Sequence, residues 1–268
     1  MDNQLSRQGG IPLTERACQA IMQRKVVLPT PVWSRIRFNA PRTGAGPFVY
    51  TTDTTERRAF AYGIGGSMAT AGFLSTDIAT GADTNLTQAS ITPDNADFEL
   101  FGLGIFVEPG SNPDLVAELT KNCDVILALS SSSNQRIGTI TTFPQPGGLF
   151  GASRGNNLEP SVLESTSPMQ GFIANGRPDC ASYKHFPEPF VWAAQGSTEK
   201  DTSLVVVIQP RRACVVNAPA SRAAIAADPA ITTVGQPAWT APADGSVSAT
   251  FRLEFIARSI GNAGINFG

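Results

Sequence analysis

A single histidine, His185, serves the whole 268-residue chain, and that scarcity removes much chemistry at once. One imidazole cannot build a multi-histidine metal site, and no Ser or Cys nucleophile stands in a motif around it. His185 lies in SYKHFPEPF, which reads as a loop entering a strand, so a structural or surface role is expected. The four cysteines, Cys18, Cys123, Cys180 and Cys214, form no CxxC pair and show no metal-ligand spacing. Cys123 and Cys214 sit in apolar, strand-like surroundings, where a thiol is expected to be buried as a small hydrophobe. Charge is also scarce. Charged residues make up 16% of the chain, against roughly 25% in ordinary soluble domains. With 20 Lys plus Arg against 22 Asp plus Glu, the net charge of −2 gives no global attraction to nucleic acid. No apolar run approaches the ~20 residues that span a bilayer. The first residues, MDNQLSRQGG, lack the apolar centre of a signal peptide. The expectation is a chain made in the cytoplasm and soluble until it meets a partner. With 3 Trp and 3 Tyr, Trp33, Trp192 and Trp239 read as core or interface packing rather than a sugar platform.

What is present is mostly strand. Ser246–Arg258 (SVSATFRLEFIAR) places Val247, Ala249, Phe251, Leu253, Phe255 and Ala257 on one side of an extended chain. Ser246, Ser248, Thr250, Arg252, Glu254 and Arg258 fall on the other, with Ile256 out of step. A period of two held this long marks a strand with one buried face. Val32–Phe38 alternates similarly, Ile36 and Phe38 against Arg35 and Arg37. Further strands are predicted at Pro47–Thr52, Ala59–Ile64, Phe98–Val107, Val125–Leu129, Arg136–Phe143, Phe190–Ala193, Ser203–Gln209 and Ala213–Val216. In Phe98–Val107, Phe101, Leu103, Ile105 and Val107 share one face, and Gly102 and Gly104 face a close neighbour. Leu204–Ile208 is continuously apolar, as in a strand covered on both sides. Gly65–Pro93, rich in small and polar residues, reads as a long surface loop, of a length that in compact domains is either functional or disordered.

Helix signals are few. Asn112, Pro113 and Asp114 make a strong start, with Leu115, Val116 and Leu119 as the buried stripe and an end near Lys121. Thr14–Lys25 is a second helix capped by Thr14, its apolar stripe being Ala17, Cys18, Ile21 and Met22. Its Arg16–Lys25 face is basic, and such a helix packs on its own domain or meets a membrane or partner. A brief helix is also predicted at Ser221–Ala227. The pattern breaks near residues 145–170. That predicts an arm and helix over 1–25, a first β unit over 26–150 and a second over 151–268.

Catalytic arrangements are hard to find. Gly44–Gly46 and Gly102–Gly104 are Gly-x-Gly pairs, but no phosphate-binding loop opens a helix. Glu99, Glu108, Glu188 and Glu254 are the candidates for paired-carboxylate chemistry, yet nothing places two at a working separation. They read as exposed strand polarity. Asp77, Asp83, Asp94 and Asp97 dot the long loop without a calcium-loop pattern and read as solvated. No catalytic or cofactor-binding residue is assigned, and any metal site is unknown.

The element order around residues 98–151 carries a resemblance. FELFGLGIFVEP leads into the helix NPDLVAELTKN, then CDVILALS, a polar turn with Asn134 and Gln135, and a strand ending in FPQPGGLFG. NGRPDC, PEPFVWA, DTSLVVVIQP and the long terminal strand follow. Over most of Val26–Gly268 this order and length resemble the major capsid proteins of tailless, icosahedral, membrane-containing bacterial viruses, the corticovirus-like group. The resemblance implies an all-β fold of two tandem jelly-roll barrels with short helices. It implies no enzyme but a capsid protein of the virion. Homotrimers of pseudo-hexagonal outline would tile a shell around an internal lipid membrane. Neighbouring capsomers, penton and membrane proteins of the virion would be the partners, with the amino-terminal segment near the lipid and no specific nucleic acid. Members of the group use Ca²⁺ in assembly, but no residue here matches such a site. Two other classes stay open: a β-sandwich binding module, such as a viral fibre or carbohydrate-binding domain, and a two-carboxylate hydrolase.

Overall fold

Alternation and caps turn into two small helices and eleven strands in the computed structural model, which describes residues 14–23, 26–43, 49–93, 96–108, 111–129, 134–143, 183–195, 202–217 and 246–261. The first part holds α1 (Glu15–Met22), β1 (Val26–Pro29), β2 (Val32–Pro41), β3 (Val49–Thr51), β4 (Arg57–Ala59) and β5 (Asp97–Val107). Then come α2 (Pro113–Asn122), β6 (Cys123–Leu129), β7 (Gln135–Thr139), β8 (Lys184–Trp192), β9 (Leu204–Pro210), β10 (Val215–Asn217) and β11 (Ser246–Gly261). The described residues are mostly β-sheet, and the larger sheet curls into a half-barrel.

β11 organises that sheet. Its burial alternates from Ser246 to Ala257 as the sequence predicts, and it extends three residues past Arg258. On one side it pairs antiparallel with β5; on the other its first part pairs with β2 and its last residues with β1. β8 lies beyond β5. The second sheet runs β4-β9-β6-β7, and a short β3-β10 pair continues the β4-β9 ladder. The pairing of the main strands is nested: β2 with β11, β4 with β9, β5 with β8, and β6 with β7. First meets last, second meets seventh, third meets sixth, and the middle two form a hairpin. That is one long antiparallel ribbon wound into two facing sheets.

Nested pairing crosses the expected division at residue 150. Both sheets draw strands from 26–150 and from 151–268, and every described strand except β1 contributes to or packs against one core. The reason lies in the partners of the long strand. β11 finds its longest ladders with β2 and β5, so the chain's last described strand sits between two strands of its first half. Among the described residues the main strands of both halves share one pair of sheets.

Ile36, Phe38, Phe251, Leu253 and Phe255 from the curled sheet meet Val125, Leu127, Leu204, Val206 and Ile208 from the other. Each such side chain, fully withdrawn from water, stabilises the fold by about 1.5–3 kcal/mol. Cys123 and Cys214 belong to the same core as free, buried thiols, as expected. Burial pushes both thiols above their usual range, so neither is poised as a nucleophile. Trp192 is core, while Trp239 and Cys180 lie outside the described residues, as does the helix predicted at Ser221–Ala227.

Several boundaries differ for local reasons. β4 ends at Ala59 because Phe60 takes a φ of 63°, which turns the chain away from an extended path. Ser34 Oγ accepts the Phe60 amide at 3.0 Å, and the buried ring lies 5.1 Å from that of Phe255. In β5 the register against both neighbours shifts at Phe101. The core face is therefore Phe98, Leu100, Leu103, Ile105 and Val107, and Phe101 turns outward. Gly102 is closely approached as predicted, since a Cβ there would stand 2.9 Å from the Lys184 carbonyl. β7 stops at Thr139, and Ile140–Thr142 winds into a short tight turn. The long Gly65–Pro93 segment is no loose loop. It buries Met68, Ala71, Ala79 and Leu86 and binds along β2 through Arg35, Trp33 and Ser34.

Candidate functional site

The predicted carboxylates do not converge. Glu99 faces away from the core as expected, but it is buried rather than exposed. Its Oε2 lies 3.5 Å from Arg258 Nη1, and both side chains are nearly sealed, at 3% and 5% exposure. Glu254, on the same outer face, accepts from Arg252 at 2.9 Å and from the Tyr183 hydroxyl at 2.9 Å. On β11, Arg258, which stands opposite Glu99, and Glu254 are four residues apart, roughly 13 Å along a strand. Each carboxylate is committed to its own cation. Glu108 lies 3.8 Å from Arg35, and Glu188 is exposed on β8 with His185, which the structure places within the strand rather than in a loop before it.

The aspartates have structural partners of their own. Asp77 accepts the Leu74 amide, and Asp83 accepts from the Thr80 amide and hydroxyl and from Arg35 at 2.8 Å. Partial burial opposes ionisation of Asp83, but the Thr80 bonds and Arg35 outweigh it and hold the carboxyl below its usual range. Asp97 accepts from Arg16 at 2.6 Å and from the Ala194 amide at 2.8 Å. Asp94 lies outside the described residues. No group of three or more His, Cys, Asp or Glu side chains gathers among the described residues.

Two surface features emerge instead. The first is α1 on the outer face of the curled sheet. Thr14 caps the helix by accepting the Ala17 amide, as predicted, and its hydroxyl also reaches the two Glu99 oxygens at 2.7 and 2.9 Å. Beneath it the Arg258 guanidinium stacks 5.0 Å from the Phe101 ring centre. Burial pulls the proton affinity of Arg258 down, with Glu99 opposing. The helix turns its small residues inward: only Ala17 and Ala20 are buried. Cys18, Ile21 and Met22, predicted as the buried stripe with Ala17, are exposed, the last two at 51% and 76%. The sequence carries the amphipathic signal but not the identity of the surface underneath, which is itself charged.

The second feature is the tip of the 61–92 segment. Ile64, Leu74 and Ile78 are exposed there at 47%, 67% and 56%. Their backbone is held firmly: Gly65 and Ala79 amides donate to Ala79 and Gly66 carbonyls, Ser67 bridges Ile78, and Ile64 donates to Leu86. Large apolar side chains on a pre-ordered backbone lose little freedom on docking. The hydrogen-bonded turns of the segment hold all three at the surface.

No family model, no curated protein and no solved structure matches this chain. Among the described residues no helix is long and apolar enough to cross a membrane.

Proposed function

We propose that this chain is a structural shell subunit, a virus major capsid protein whose copies tile an icosahedral wall. The observation that carries this reading is the nested pairing of eight main strands across two sheets, a winding used by capsid and lectin domains. Low charge and the rigid, apolar 61–92 tip add to it, since a wall subunit needs faces that neighbours can cover. The two-barrel form of the corticovirus-like group would need a second pair of sheets, whereas the described strands of both halves already share one pair. Our reading therefore keeps the role from that group and gives each chain one sandwich. Closed rings of copies are then the simplest tile, in place of a pseudo-hexagonal trimer of paired barrels. An internal membrane met by the amino-terminal segment belongs to the same proposal.

Mass photometry and negative-stain microscopy of the purified protein test it. The expected result is uniform rings or closed shells. Leu74→Glu with Ile78→Glu should leave the circular dichroism unchanged and abolish those assemblies. Monomers at every concentration, or small oligomers that bind defined glycans on an array, would overturn the shell and favour a binding module.

A further inference from the structure

α1 is attached to the sandwich in an unusual way. A helix normally buries its large apolar residues, yet here Ile21 and Met22 face solvent and the only buried side chains are two alanines. The attachment is polar instead: Thr14 to Glu99, and Arg16 to Asp97 at 2.6 Å. The seat beneath, Asp97, Glu99, Phe101 and Arg258, lies on β5 and β11 but outside the main core. Its Glu99–Arg258 pair is almost wholly excluded from water.

We propose that α1 is a releasable cover, which lifts as a unit while both sheets remain folded and so uncovers this charged seat. Lifting gives up little apolar contact, because alanine side chains bury little surface. It also returns Glu99 and Arg258 to water, and the recovered hydration offsets the lost contacts, since a buried ion pair gains little over a hydrated one. Removing β5 or β11 would instead expose Phe98, Leu100, Phe251 and Phe255. The free energies of the two openings are therefore far apart, as in proteins that open in separate cooperative units. The lifted helix already carries Ile21 and Met22 outward, so a covered and an uncovered subunit differ mainly at the seat. This inference rests on the geometry of α1 and its seat, and stands or falls apart from the shell reading.

The chain contains its own reference for the test. Cys123 and Cys214 are core thiols at 0% and 1% exposure, so their alkylation reports opening of the sandwich. Ala17→Cys, made together with Cys18→Ser, places a thiol under α1. Alkylation with N-ethylmaleimide, followed peptide by peptide by mass spectrometry, then reads both openings in one molecule. The thiol at position 17 should react at least about 100-fold faster than Cys123 and Cys214. Thr14→Val should speed it a further ~10-fold, the size of a lost cap and charged hydrogen bond, and leave the core thiols unchanged. Reaction of all three thiols at one rate would overturn the proposal. Hydrogen exchange on the unaltered chain guards against a cysteine that displaces the helix by itself. The Cys18 and Gln23 amides, which bond to Thr14 and Gln19 carbonyls, should exchange together and far faster than the β11 ladder. Exchange as slow as β11 would equally sink it.

Discussion

Thr14 and Asn112 do the same work at the starts of α1 and α2, each side chain accepting the amide three residues on, yet the helices behind them meet the sandwich differently. α2 turns Leu115, Val116 and Leu119 inward to 0–1% exposure and lies against β10 and β11. α1 turns alanines inward and leaves Ile21 and Met22 outside. The difference comes from what each helix meets. α2 covers part of the apolar interior, so its large side chains have partners. α1 lies over Glu99 and Arg258, and only small side chains and a hydroxyl fit above an ion pair that needs hydrogen bonds. A capping residue therefore starts a helix, while the surface below chooses the face it buries.

Four changes would break or sharpen that contrast. The largest effect belongs to neither helix but to the strand that both rest on. Phe251→Asp or Leu253→Asp would put an unpaired charge among fully buried side chains, and no soluble folded protein should be recovered on expression. Soluble protein with native circular dichroism would undo the strand assignment. Next is Leu119→Ala in α2, expected to cost about 2–5 kcal/mol in urea unfolding, because it opens a cavity under a well-packed helix. A cost as small as that of an exposed residue would make the two helices alike.

Asp83→Asn measures what polar contacts add to the hold of the 61–92 segment on β2, which, unlike α1, also buries apolar side chains. The folded Asp83 carboxyl is held below its ordinary value of 3.8, so its contribution is fully present above that pH and is lost as pH falls through the lower folded value. The variant should lose about 1 kcal/mol at neutral pH, a part-exposed pair being worth little more. It should also show a shallower decline on acidification than the unaltered chain. Equal declines would remove Asp83 from the pinning. Smallest of all, Ile21→Ser with Met22→Ser should change stability by no more than about 0.5 kcal/mol. A loss of several kcal/mol would mean that those side chains are packed rather than exposed.

Legibility followed locality. The alternation of β2 and β11, the start of α2 with its stripe, and the buried thiols of Cys123 and Cys214 could all be read along the chain, because each depends on residues within a few positions. The candidate site was read less well. Glu99 looks like an exposed strand carboxylate until Arg258, 159 residues away, is brought against it by the β5–β11 register. The outward turn of Phe101 follows from a register shift that no spacing of apolar residues announces.

By itself the sequence determined that this protein is built mostly of strands, where its two described helices begin, and that its longest strand hides one face. Those features arise from backbone geometry and capping over a few residues. Only the tertiary structure decided that the strands of both halves interleave in one pair of sheets, and that a buried ion pair lies under α1. Pairing partners are chosen by burying apolar area over the whole molecule at once, and that choice leaves no local trace in the order of residues.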